Sequence, residues 1–291
     1  LALLETKGGY DQAARVCMRL GITHQNAYDS ARAREAFDKG FALWQRAGEV
    51  LEAVPLPPAP LALRLGWSEP KGLDPTLFEE LNSAAVIGHL FSGLVEPGYD
   101  FEIAPDIARS WQISEDGRTY VFHLRDDVRW SDGTPVTAGD FAYAWKRRLD
   151  PARPAESAAL LYDIRNARAY HQGELVDAGR LGVRAVDDST LVVELEEPAG
   201  YFLQLVAQPF TYPVARHVVQ THGESWTEAR NIVTNGPFLL KAWKRGRSMV
   251  LVRNPSYHGR FKGNVVQVDY ANFDLDRSVW LAMYEADELD V

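Results

Sequence analysis

The sequence predicts a mixed α/β fold rich in antiparallel hairpins, preceded by a separate helical segment. Residues 1–53 space their apolar side chains as helices do. Four prolines then fall within positions 55–60, a run that cannot continue a helix and favours an extended spacer. From residue 61 onward, short alternating segments bounded by Asp-Gly turns interleave with helical stretches. The regular strand–helix–strand spacing of a doubly wound nucleotide-binding sheet is absent from this pattern.

Within the first segment, Tyr10 to Leu20 reads as a short amphipathic helix after the Gly8-Gly9 pair. Asp29-Ser30 are favourable N-cap residues and open a second helix, in which Phe37, Phe41, Trp44 and Leu51 recur on one face. Paired helices with alanines at close-contact positions resemble the tail of a tetratricopeptide-type array, and a plain helical hairpin accounts for them equally well. The proline spacer occupies 54–60. Leu61, Leu63 and Leu65 then alternate with Ala62 and Arg64 as a strand. Leu73-Asp74-Pro75 starts a turn, and Phe78 to Leu94 reads as a helix.

Further on, Trp111 to Ile113 and Thr119 to Leu124 flank Glu115-Asp116-Gly117 as a hairpin, with glycine where positive φ is needed. Ser131-Asp132-Gly133 makes another turn. Thr137 and Asp140 have capping-box spacing and open a helix from Asp140 to Leu149. Val183 to Val186 with Thr190 to Leu195, and Phe238 to Trp243 with Met249 to Arg253, form two more hairpins, the second joined through Gly246. Val265 to Tyr270 reads as a strand and Ser278 to Glu285 as a helix.

Composition narrows the function classes. The net charge is −9, and without a basic stripe a phosphate backbone has no landing site. The densest basic run, at Lys241, Lys244, Arg245 and Arg247, lies on a hairpin turn. Cys17 is the only cysteine, so an intrachain disulfide is ruled out and the thiol reads as buried in a helix. The seven histidines are scattered without metal-ligand spacing. No stretch reaches the roughly 18 apolar residues of a membrane span, and the N-terminus lacks the pattern of an export signal. Phosphate-binding glycine loops and the GxSxG nucleophile turn are also missing. The carboxylate pairs Asp126-Asp127, Asp187-Asp188 and Glu196-Glu197 sit beside turns, where solvated charge is the expectation. Neither a cofactor nor a metal is expected, and the chain reads as a non-enzyme.

Residues 104–151 carry a long ordered signature. Ala108-Arg109-Ser110-Trp111 leads to Ser114 and Asp116-Gly117; Phe122-His123-Leu124-Arg125 follows; Trp130-Ser131-Asp132-Gly133 then runs through Pro135-Val136-Thr137-Ala138 to Asp140-Phe141. This stretch closely resembles the extracytoplasmic solute-binding proteins, family 5, of peptide and nickel importers. Asn231-Ile232-Val233-Thr234-Asn235-Gly236-Pro237-Phe238 and Arg253-Asn254-Pro255 resemble the oligopeptide-binding branch, and the likeness covers about residues 61 to 291. It implies a periplasmic-binding-protein-like fold of the class with an extra subdomain. The first lobe would comprise 61–91 and 216–291, with the extra subdomain at 92–215 and the second lobe expected after Leu289-Asp290-Val291. Much of the signature is turn and core chemistry, so it identifies the scaffold better than the ligand.

The resemblance also implies cleft positions. Glu79 and Leu81 match a cleft carboxylate and a backbone contact, with Asn82 adjacent. The family's cleft tyrosine aligns with Ser157 and its cleft histidine with Gln208, both departures from the family pattern. Tyr162 is near enough to replace the lost aromatic. Implied function is capture of short peptides by two-lobe closure, in partnership with the permease subunits of an ABC importer. Such a protein would be periplasmic or otherwise extracytoplasmic. The helical segment suggests an alternative, a ligand-sensing module fused to a helical-repeat regulatory protein in the cytoplasm.

Overall fold

A computed structural model of the chain describes residues 9–26, 29–52, 61–97, 102–153, 155–259, 263–271 and 277–290. Two antiparallel helices come first, α1 (Tyr10–Asn26) and α2 (Ser30–Glu52). Ala13, Ala14, Cys17 and Met18 of α1 face Ala33, Phe37 and Leu43 of α2, all buried, which is the helical spacing of one apolar face. Helix α1 continues past the expected end at Leu20. The proline spacer and the Leu51 side chain lie outside the described residues.

Strand β1 (Leu61–Gly66) is the edge of a four-stranded sheet of order β1-β10-β9-β8, with β8 at Phe238–Lys244, β9 at Ser248–Arg253 and β10 at Val265–Ala271. Strand β1 pairs with β10 in parallel, while the other pairs are antiparallel. A parallel pair needs a long crossover, and here the whole of 67–264 forms it. Helix α3 (Leu81–Leu90) and the short ribbon of β2 (Val95–Pro97) and β3 (Ile103–Pro105) open that crossover. A second antiparallel sheet follows, of order β4-β5-β7-β6, from β4 (Ala108–Ile113), β5 (Thr119–Leu124), β6 (Val183–Asp187) and β7 (Thr190–Glu194). Helix α4 (Ala138–Arg148) packs against β6 and β7. Short helices α5 (Ala167–His171), α6 (Phe202–Val206) and α7 (Arg216–His222) fill the connections, and α8 (Arg277–Glu285) comes last.

The helix expected over Phe78 to Leu94 is shorter at both ends. Glu80 is an extended N-cap whose carboxylate accepts the Ser83 N–H at 2.8 Å, so Phe78 and Glu79 precede the helix. At the other end Phe91 turns extended and is buried with its ring against Trp130 and Trp226, at 6.5 and 6.3 Å. Aromatic burial there outweighs helix propensity.

The long signature performs structural tasks. Gly117 and Gly133 have φ of 69° and 88°, a region in which a Cβ is strained. Asp140 accepts from the Thr137 N–H at 2.9 Å and the Trp130 indole at 3.3 Å, joining the capping box to the core. The Asn235 side chain pairs with both the N–H and the carbonyl of Ser92, at 3.0 and 3.3 Å. A Cβ on Gly236 would stand 2.5 Å from the backbone of Leu90 and Phe91. The end of α3 is thereby locked to the start of β8.

The helical pair is built into this body. The Phe37 ring lies 4.7 Å from that of Trp111, and the Arg125 guanidinium sits 4.4 Å above Phe41. Arg19 of α1 pairs with Glu102 at 3.2 Å. Met18, Ala33 and Phe37 belong to the same buried cluster as the strands of both four-stranded sheets.

Candidate functional site

Of the sequence-derived site residues, Glu79 lines a hollow of about 450 Å³ at the N-terminal end of α3, together with Leu73, Asp74, Phe78, Glu80 and Trp226 among others. Its floor is rigid. Buried Asp74 accepts from the Arg147 guanidinium at 2.6 Å, the Trp226 indole at 3.2 Å and the Thr76 N–H and hydroxyl at 2.8 and 2.7 Å. The Asp74-Pro75 turn is thus tied to α4 and to the turn at 223–227. Glu80 accepts from the Lys71 N–H at 3.0 Å as well as from Ser83. Partial burial pulls its pKa upward, but the hydrogen bonds from Ser83 and Lys71 prevail and hold it below the ordinary carboxylate value.

On this floor the rim stands open. Glu79 is exposed, with Oε1 3.5 Å from the Ser157 N–H. Leu81 is 85% exposed, a large apolar residue that nothing among the described residues covers. Asn82 beside it is half-buried. Behind the rim the Arg148 guanidinium donates to Ser157 Oγ and to the Pro75 carbonyl, the latter at 3.3 Å. Burial pushes its pKa down to about 10, against the upward pull of the Glu79 and Asp74 charges.

The remaining two candidates are less directly connected. Exposed Gln208 donates from its amide to the Gln204 carbonyl at 3.3 Å and caps the turn that carries Phe210. Phe210 in turn lies 5.0 Å under Arg148. The Tyr162 hydroxyl is engaged by His171 Nδ1 at 2.8 Å, and Arg168 covers its ring at 5.2 Å. Glu79 and Ser157 are therefore brought together, with Leu81 and Asn82 on the same rim, while Tyr162 is occupied within its own segment. Sequence reasoning missed Arg148, because an arginine next to Arg147 at a helix end reads as solvated charge. No group of acidic, histidine or cysteine side chains able to hold a metal occurs among the described residues.

Comparison with known proteins fits this architecture. Residues 102–291 match the model of the bacterial extracellular solute-binding proteins, family 5, middle region. The chain belongs to this family. Among curated family 5 relatives, the periplasmic oligopeptide-binding protein OppA of Escherichia coli is 40% identical over 228 residues, covering 77% of this chain and 41% of the relative. The probable deoxycholate-binding periplasmic protein YgiS of the same species is 38% identical over 248 residues, covering 84% and 46%. Among solved structures, the murein tripeptide-binding protein MppA of E. coli superposes with a TM-score of 0.73 at 35% identity, over 79% of this chain and 45% of that one. OppA of Haemophilus influenzae in complex with the peptide RPPGFSPFR gives 0.74 at 31%, over 81% and 46%. The chain thus spans less than half the length of the family 5 relatives it matches.

Proposed function

We propose that this chain supplies one wall of a cleft that captures short peptides for an ABC importer, without catalysing a reaction on them. The observation that carries this reading is the contrast between a locked floor and an uncovered rim at Glu79, Leu81, Asn82 and Ser157. Leu81, 85% exposed, and the exposed Glu79 carboxylate leave apolar and charged surface side by side for a ligand at this edge. The names of the relatives, oligopeptide-, dipeptide- and murein-peptide-binding, support peptides as the ligand class. Main-chain hydrogen bonds would hold an extended peptide, with Gln208 and Tyr162 as outlying contacts. Residues 61–91 and 216–291 form the first lobe in this reading, and 92–215 the inserted subdomain. A second lobe closes over the ligand, and the closed form is what the permease engages. The same relatives, several of them periplasmic, support extracytoplasmic placement.

The deoxycholate-binding relative supports a second reading, in which an amphipathic small molecule takes the same cleft. Native mass spectrometry on protein purified without refolding separates the two. A distribution of added masses fitting short peptides supports peptide capture. One discrete non-peptide mass supports the second reading, and no added mass, with no heat of binding from a peptide pool, overturns both.

A further inference from the structure

We infer that Arg148 is a positioning residue of the ligand site, fixing the Ser157 hydroxyl as a donor beside the Glu79 acceptor; this rests on the proposed reading of both as ligand contacts. The Arg148 side chain is fully buried, yet no carboxylate accepts a hydrogen bond from it among the described residues. Its neighbour Arg147 has Asp74 at 2.6 Å. Arg148 has a backbone carbonyl, the face of Phe210 and the Ser157 hydroxyl, while its Nε has no partner among the described residues. A buried cation without an ion pair is expensive, and an apolar side chain would fill the same space without that cost. What the guanidinium adds is its contact with the Phe210 ring and its hydrogen bonds, one to the Pro75 carbonyl behind the rim and one to the Ser157 hydroxyl on it.

The chemistry of that bond sets the direction of the next one. A serine hydroxyl has one proton to donate and two lone pairs. One lone pair takes the guanidinium N–H, and the hydroxyl proton meets no acceptor among the described residues. Ser157 is half-buried at the rim, so that proton is available to a ligand, and accepting from a cation strengthens the donation. Glu79 Oε1 lies beside it, 3.5 Å from the Ser157 N–H. A hydroxyl donor and a carboxylate acceptor side by side match the carbonyl and N–H that an extended peptide presents. An isolated anion would meet Glu79 and be repelled.

The test titrates tri-alanine into the ¹⁵N-labelled chain, with affinity read from amide shifts in wild type, Ser157→Ala, Ser157→Thr, Arg148→Met and the Ser157→Ala/Arg148→Met double variant. A single lost hydrogen bond corresponds to about a three- to tenfold weakening. That loss is expected for Ser157→Ala and for Arg148→Met, with no further loss in the double variant and full retention in Ser157→Thr. Wild-type binding with Arg148→Met unaffected, or with losses that multiply, overturns the inference and leaves peptide capture standing. A wild type without shifts overturns both. Should Arg148→Met not fold, the Arg148 Nε–H resonance serves instead. It shifts in Ser157→Ala and stays in Ser157→Thr if the contact is made, and a resonance unmoved by Ser157→Ala refutes the contact.

Discussion

Asp74 offers the sharpest test of how the candidate site is held. Replacing it by alanine removes the carboxylate that accepts from Arg147 at 2.6 Å, Trp226 at 3.2 Å and two groups of Thr76. The Arg147 and Asp74 side chains are only 7% and 12% exposed, so water cannot easily take over these bonds. Breaking one partner of a buried ion pair costs about 3–5 kcal/mol. The orphaned indole and the Thr76 donors add to this, though not additively, because all share one acceptor. About 4 kcal/mol is therefore expected for Asp74→Ala. Asp74→Asn keeps the shape and one acceptor oxygen and should lose less. Urea unfolding followed by tryptophan fluorescence measures both, with the slope checked for constancy. Pairing the change with Arg147→Met should recover much of the loss, since an apolar pair leaves no buried charge. A loss under about 1 kcal/mol for Asp74→Ala would refute the reasoning, because it would mean that Arg147 reaches solvent at little cost.

Three further outcomes follow from the packing. His123 lies under α2 with its pKa lowered, by burial first and then by the Arg34 and Arg109 charges, against the opposing pull of Asp38 and Asp187. The folded chain then binds fewer protons than the unfolded one below the ordinary histidine value of 6.5, so stability falls as pH drops through that value. His123→Gln should flatten this part of the pH–stability curve, and an unchanged slope would exclude His123 as its source. Phe37→Ala, at a fully buried ring against Trp111, should cost about 3–5 kcal/mol. Hydrogen exchange should rise over residues 10–52 while β8 to β10 stay protected; uniform loss of protection would show that the helical pair and the sheets unfold together. Gly236→Ala places a Cβ 2.5 Å from the Leu90–Phe91 backbone and should lower the melting temperature by several degrees, at about 2–4 °C per kcal/mol. A melting temperature equal to that of wild type would show that α3 can shift away from β8.

Much of the architecture was legible in the chain because its signals are local. Asp-Gly turns, period-two alternation and the Thr137–Asp140 capping box are decided within a few residues; β5 matches its expected limits to the residue, the other expected strands differ by a few positions, and only the short β2–β3 ribbon was not foreseen. The same holds for the family, whose signature is mostly turn and cap chemistry repeated in a fixed order. The site was legible only by resemblance. Glu79, Leu81, Asn82, Ser157, Tyr162 and Gln208 carry no pattern of their own, and the two that meet, Glu79 and Ser157, are separated by 78 positions.

The sequence by itself determined the helical segment, the hairpins, the α/β class and the family, because each rests on neighbours along the chain. Only the tertiary structure decided where α3 begins, that the helices of residues 10–52 pack on Trp111, and that Arg148 is buried behind Ser157. Those outcomes depend on which distant groups share a low-dielectric interior. A glutamate that caps a helix, an arginine that loses its water and a phenylalanine that leaves a helix to join two tryptophans respond to burial, and burial is a property of the folded whole.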